Sequence, residues 1–181
     1  MYYDVIIAGF GGQGVILIGN LLAYAGMKKG YNVTFFPSYG VEMRGGTANC
    51  TVVISDEEIG SPIVGKPKSL IIMNKPSMDK FLPRVEENGI VLYNSTLIDD
   101  SAIIRDDVEL IPIPANEIAM EAGNPRLANM IMIGAYIEKT KIVDEETLKK
   151  SLENVISERN LKYIPDNIKA INMGIEFINN K

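Results

Sequence analysis

Asp4-Val5-Ile6-Ile7-Ala8 runs directly into Gly9-Phe10-Gly11-Gly12-Gln13-Gly14, which is followed by Val15-Ile16-Leu17-Ile18. The first segment is short, apolar and rich in β-branched residues, as expected of a strand buried on both faces. From 14 to about 29 the apolar residues recur at helical spacing. Ile18, Leu21, Leu22 and Ala25 make the core face, and Lys28-Lys29-Gly30 makes a fitting stop. A buried strand, a glycine turn and an amphipathic helix in this order open an α/β domain.

Outward from this start, strands are expected at 32–36 (closed by Pro37), 47–55, 69–73, 90–93 and 108–111, the last ending at Pro112. Helices are expected at 77–87, 116–122, 125–139, 144–159 and 165–179. Strands alternating with helices predict a three-layer α/β/α sandwich, Rossmann-like, around a mostly parallel, mixed sheet. Gly60-Ser61-Pro62 offers a place for the chain to reverse and so for one antiparallel strand. With 181 residues and no linker or repeat, residues 1–181 read as one domain.

The composition excludes several chemistries. There is no histidine, and Cys50 is the only cysteine. Ser-His-Asp and Cys-His catalysis are therefore ruled out, as is a zinc site built on His or Cys. An iron–sulfur cluster normally takes four thiolates, more than this chain has. No metal ligand and no catalytic residue is assigned, so demanding chemistry must come from a cofactor or another subunit. A net charge of −5 without a basic tract argues against nucleic acid. The apolar runs are too short to span a bilayer, and the N-terminus lacks the basic flank of a signal peptide, so a cytoplasmic protein is expected.

Gly9, Gly11 and Gly14 have the spacing G-x-G-x-x-G between a strand and a helix. Glycine admits positive φ and close approach, and the helix start presents unpaired N–H groups that suit a phosphate or carboxylate. Gln13 would add a neutral side-chain donor. A dinucleotide site also needs an acid at the end of the second strand to hold the ribose hydroxyls. Here that strand runs into Phe36-Pro37-Ser38, with no acid, which argues against NAD or FAD. Tight strand–helix packing is the plain alternative for these glycines, and for Gly19.

The segment Pro37-Ser38-Tyr39-Gly40-Val41-Glu42-Met43-Arg44-Gly45-Gly46 follows a strand's carboxyl end, where open α/β sheets bind ligands. It offers a carboxylate (Glu42), a guanidinium (Arg44) able to clamp an anion, and a phenol (Tyr39). Asn124-Pro125 reads as a helix cap, whereas Asn129 inside an apolar helix demands a hydrogen-bond partner.

Together, Ala8-Gly9-Phe10-Gly11-Gly12-Gln13-Gly14-Val15, the stretch 37–47, Ile59-Gly60-Ser61-Pro62 and Asn129-Met130 resemble the gamma subunit of 2-oxoacid:ferredoxin oxidoreductases, the pyruvate/ketoisovalerate family gamma domain. The likeness covers nearly the whole chain in the same order. Tyr39-Gly40, Glu42 and Arg44-Gly45-Gly46-Thr47-Ala48-Asn49-Cys50 look closest to the 2-oxoglutarate and branched-chain 2-oxoacid types, although many relatives carry proline where this chain has Val41. The resemblance implies a subunit without a catalytic group of its own, inactive in isolation. The complex would convert a 2-oxoacid, most closely 2-oxoglutarate, with coenzyme A and oxidised ferredoxin into acyl-CoA, CO2 and reduced ferredoxin. Thiamine diphosphate, Mg and iron–sulfur clusters would reside in alpha, beta and ferredoxin-like delta partners. Gly11, Gly12, Gln13 and Gly14 would offer backbone donors on the coenzyme A side. Ser38, Tyr39, Glu42 and Arg44 would face the shared site or a subunit interface. A stand-alone nucleotide-binding or regulatory module is the alternative that the glycine turn alone would permit.

Overall fold

The computed structural model describes residues 1–40, 46–99, 101 and 103–181. Its strands are β1 (Tyr2–Phe10), β2 (Asn32–Tyr39), β3 (Thr47–Ser55), β4 (Ser69–Ile72), β5 (Ile90–Asn94) and β6 (Glu109–Ile113). Its helices are α1 (Val15–Lys28), α2 (Lys75–Phe81), α3 (Ala115–Glu121), α4 (Ala128–Thr140), α5 (Glu145–Val155) and α6 (Ile164–Asn179). The six strands form one sheet in the order β2-β3-β1-β4-β5-β6. β1, β4, β5 and β6 pair in parallel, whereas β3 is antiparallel to both β1 and β2. The expected three-layer sandwich with one reversed strand is what forms.

Its two helical layers are unequal. One face of the sheet carries α1, α3, α4, α5 and α6 on Val5, Ile7, Cys50, Val52, Ile71 and Leu92. The other, among the described residues, carries α2 and its 3-10 extension, packed on Ile6, Ala8, Leu70, Ile72, Val91 and Tyr93. α4 is buried along ten consecutive residues, Ala128 through Ile137, as befits a helix clasped between the sheet and α6. No helix among the described residues is long and apolar enough to cross a membrane.

Several expected boundaries move, each for a local reason. β2 continues through Pro37 to Tyr39, and β6 continues through Pro112 to Ile113. Both are edge strands, where a residue lacking an N–H can leave its unpaired side to solvent. The expected 77–87 helix starts earlier, because Asn74 caps it by accepting from Ser77 N at 2.9 Å. It also stops earlier, at Phe81, with Pro83 inside the 3-10 turn Leu82–Arg84. Likewise Pro125 heads a 3-10 turn, Pro125–Leu127, ahead of α4. α5 ends at Val155, after which Ile156 is extended and Glu158–Tyr163 forms a separate 3-10 segment.

α5 is secured at its start by Asp144, whose carboxylate accepts from Thr147 N at 2.8 Å and from Thr147 Oγ1 at 2.9 Å. It also pairs with Lys29 Nζ at 2.9 Å, tying α5 to the end of α1. The Thr147 N–H first, and Lys29 second, hold this carboxyl well below the usual carboxylate range. A carboxyl depressed in the folded state adds stability above its unfolded pKa, about 3.9, and loses it as the pH falls. Asp144→Ala should thus cost about 1 kcal/mol at pH 7, the usual worth of such a cap. Urea melts of both proteins should converge as the pH is lowered through 4 to 2.5; a gap that widened on acidification would contradict the cap.

Candidate functional site

β1 delivers the glycine turn to the carboxyl end of the sheet, between α1 above and Gly46 beside it. Gly9 sits where a Cβ would press to 2.9 Å from Met73 Cβ and 3.0 Å from Val15 Cγ1, so close strand–helix packing is one demand on this position. Gly12 (φ 102) and Gly14 (φ 74) lie in the left-handed region, and Gly14 is the N-cap of α1.

The backbone donors of the turn divide into two sets. Gly11 N donates to Gly46 O at 2.8 Å, and Gln13 N donates to Phe10 O at 3.1 Å. Among the described residues, the N–H groups of Gly12 and Gly14 have no acceptor, and both lie at the positive end of α1. The four expected backbone donors thus reduce to two.

The Gln13 side chain is not the outward donor that was expected. Its Oε1 accepts from Phe10 N at 2.7 Å and from Asn74 Nδ2 at 3.3 Å, while Nε2 donates to Met73 O at 3.2 Å. The amide is spent bolting the turn to the end of β4, because the strand-end groups around it need partners. On the other side Asn129, 5% exposed, donates from Nδ2 to Gly14 O at 3.3 Å. That answers the demand its sequence context made. Asn74 was missed as a site residue; its capping position before Lys75-Pro76 was the available signal.

The turn faces a hollow of about 260 Å³, lined by Phe10, Gly11, Gly12, Gly14, Tyr39 and Ala48 among others. Tyr39 is 55% exposed there and is paired in register with Ala48. Ser38, one residue earlier, faces the opposite side of the sheet, because side chains alternate along a strand. It lines a separate hollow of about 270 Å³ with Phe36, Asn49, Thr51, Ile63 and Lys80. Of the expected site residues the structure unites Gly11, Gly12, Gly14 and Tyr39, and sets Ser38 apart. Glu42 and Arg44 lie outside the described residues. A larger hollow, about 660 Å³ along Leu17, Asn124, Arg126, Ile156, Tyr163 and Asn167, lies beyond α1 and contains none of the expected site residues.

The described lining of the glycine hollow holds hydrogen-bond donors and an aromatic face, but no acid, base or nucleophile. Cys50 lies beneath α1, with Sγ 3.6 Å from Val15 O, and burial pushes its thiol up to about 12. It supplies no thiolate at neutral pH. Its described groups are suited to binding and orienting an oxygen-rich or anionic ligand.

A family model described as pyruvate ferredoxin/flavodoxin oxidoreductase matches residues 4–177. The ketoisovalerate oxidoreductase subunit VorA of Methanothermobacter marburgensis is 41% identical over 174 residues, covering 96% of this chain and 36% of that protein. This chain therefore spans about a third of that relative's length. The 2-oxoglutarate synthase subunit KorC of Methanocaldococcus jannaschii is 36% identical over 154 residues, covering 84% of this chain and 82% of the relative. The crystal structure of a keto/oxoacid ferredoxin oxidoreductase gamma subunit from Geobacter sulfurreducens superposes with a TM-score of 0.83 at 27% identity, covering 99% of both chains. A 2-oxoglutarate:ferredoxin oxidoreductase from Magnetococcus marinus, solved with 2-oxoglutarate, coenzyme A and succinyl-CoA, shares the fold (TM-score 0.90, 23% identity). It covers 99% of this chain and 31% of that one.

Proposed function

This chain belongs to the pyruvate ferredoxin/flavodoxin oxidoreductase family, and from that premise we propose that it is the gamma subunit of a 2-oxoacid:ferredoxin oxidoreductase. The complex oxidatively decarboxylates a 2-oxoacid, passes the acyl group to coenzyme A and sends the electrons to ferredoxin. The observation that carries the reading is the site itself, whose described lining has two unspent N–H groups and an exposed Tyr39. This chain shapes and binds; its partners react.

In this role the N–H groups of Gly12 and Gly14 meet an anionic or carbonyl oxygen of coenzyme A, and Tyr39 packs against its organic body. Glu42 and Arg44 supply the charge that the described lining lacks. Among the described residues no three His, Cys, Asp or Glu side chains cluster to hold a metal, and one buried cysteine cannot carry a cluster. We assign thiamine diphosphate, its Mg ion and the iron–sulfur clusters to alpha, beta and ferredoxin-like delta subunits. Thiamine diphosphate supplies the electron sink for decarboxylation when bound there. The substrate we assign is 2-oxoglutarate, supported by the KorC relative, which matches along most of its own length. The 41% identity to a ketoisovalerate subunit supports a branched-chain 2-oxoacid as the second reading.

Anaerobic affinity purification from the native cell, followed by mass spectrometry, should recover a thiamine-binding subunit and a ferredoxin-like one with this chain. The recovered complex should reduce ferredoxin with 2-oxoglutarate in preference to 2-oxoisovalerate. Recovery of a lone polypeptide, or tight binding of NAD, FAD or ATP by the isolated chain, would overturn the proposal.

A further inference from the structure

A second hollow, of about 660 Å³, lies in the thicker helical layer. It exists because α5 stops short. Val155 ends the helix, Ile156 is extended, and the 3-10 segment Glu158–Tyr163 carries the chain across to α6. Together with the start of α1 and the turn Pro125–Leu127, these ends wall a space and leave it open. Cavities of about 300–1,000 Å³ are the size that small-molecule sites take. None of its lining residues lines the glycine hollow, so the two are separate.

One part of the wall is apolar, made by Leu17, Leu127, Val155 and Ile156, with the ring of Tyr163 as its aromatic member. The other part is amide. Asn167, only 8% exposed in the first turn of α6, donates from Nδ2 to Tyr163 O at 2.6 Å. Asn160 donates from Nδ2 to Ser157 Oγ at 3.1 Å, and Asn124 Oδ1 accepts from Arg126 N at 3.0 Å. Each amide is fixed by one end, and its other end is unspent among the described residues: Oδ1 on Asn160 and Asn167, Nδ2 on Asn124. An amide as buried as Asn167 is expected to have both ends satisfied. The one formal charge in the described lining is Arg126, whose guanidinium has no described hydrogen bond or ion pair.

These groups specify a ligand. A free guanidinium takes a carboxylate, at best through two parallel hydrogen bonds. Two unspent amide oxygens take N–H donors and reject a carbonyl oxygen, because an acceptor facing an acceptor leaves both unpaired. The apolar wall takes a branched or aromatic side chain. We propose that this hollow is a binding site for an α-amino acid with a large apolar side chain. Its carboxylate meets Arg126, its amino group the free oxygens of Asn160 and Asn167, and its side chain Leu17, Leu127 and Ile156. The matching 2-oxoacid, with a carbonyl in place of the amino group, is rejected. In a complex that oxidises 2-oxoacids, such a site distinguishes their aminated counterparts from the substrates.

Calorimetric titration of the full chain, and of the assembled complex, with L-phenylalanine and with phenylpyruvate tests the site. L-Phenylalanine should bind both preparations with a Kd below about 1 mM, and phenylpyruvate at least tenfold more weakly. Arg126→Ala should weaken L-phenylalanine binding at least tenfold with an unchanged melting temperature, since the exposed side chain holds nothing else. Tyr39→Ala, in the glycine hollow, should bind it like wild type. Equal binding of the two compounds, binding of neither, or indifference to Arg126→Ala would overturn the inference. Loss of binding in Tyr39→Ala would also overturn it, by moving the probe to the glycine hollow. So would binding by the lone chain but not by the complex, because a partner's segment would then fill the space. None of these outcomes touches the functional reading, which stands or falls on the subunits recovered and the electrons delivered to ferredoxin.

Discussion

Gly174→Ala should lower the unfolding free energy by about 3 kcal/mol. α4 and α6 touch backbone to backbone at this point. A Cβ on Gly174 would overlap the Ile131 carbonyl oxygen and stand 2.9 Å from Ala135 N; a Cβ on Gly134 would overlap the carbonyl oxygen of Ile171. These obstacles are main chain inside helices, not the tips of side chains, so relief requires the helices to part. α4 is buried along its length, and parting would open a gap in a close-packed interior. For a domain of this size the loss should appear as a fall in melting temperature of roughly 6–12 °C. Gly134→Ala should be similar, and the double variant should cost less than the sum, since one separation accommodates both methyl groups. Additive effects by calorimetry would show that the two glycines do not share one contact.

Gly14→Ala should destabilise by about 2–3 kcal/mol and disable the glycine turn. A left-handed residue with a Cβ costs roughly 1–2 kcal/mol. In addition, the new methyl would overlap Asn129 Nδ2 and lie 3.0 Å from Asn129 Cγ. Asn129 must swing away and give up its bond to Gly14 O, a loss of about 1 kcal/mol. Gly12→Ala is the matched control: its φ is also positive, but nothing lies within 4 Å, so it should incur only the backbone term. Denaturant titration of both variants separates strain from collision, and equal losses would remove Asn129 from the account.

The opening of the chain was the most legible part, because strand, turn and helix announce themselves through different periodicities within 25 residues. Ile18, Leu21, Leu22 and Ala25 are buried as their spacing required. The prolines misled in both directions. Pro37 and Pro112 seemed to close strands because their chain positions do not say that those strands lie at sheet edges; strand order is long-range information. Pro83 was passed over inside an expected helix, where its missing N–H ends the α-helical ladder. The Gly134–Gly174 contact went unread for the same reason as strand order, since neither residue reveals which helix lies opposite.

Of the residues expected to share one site, Gly11, Gly12, Gly14 and Tyr39 line one hollow, whereas Gln13 and Ser38 do not. Gln13 looked like a donor for a ligand because its partners, Phe10 N, Met73 O and Asn74, come from three separate segments. Ser38 and Tyr39 were grouped as one loop, although a strand carried through Pro37 must point them to opposite faces; once β2 is extended to Tyr39, their separation follows. Asn129 was the best single clue. A polar side chain within Leu127-Ala128-Asn129-Met130-Ile131 had to answer something, and what it answers is the glycine turn.

The most direct measurement is the coenzyme A dependence of turnover in the assembled complex carrying Tyr39→Ala. Tyr39 is exposed beside Gly12 and Gly14 and makes no described hydrogen bond, so its truncation leaves the turn intact. If this hollow faces coenzyme A, the KM for coenzyme A should rise about tenfold, equivalent to about 1.4 kcal/mol of binding, while kcat and assembly hold. An unchanged KM for coenzyme A in a fully assembled complex would contradict the placement of the glycine turn at that site.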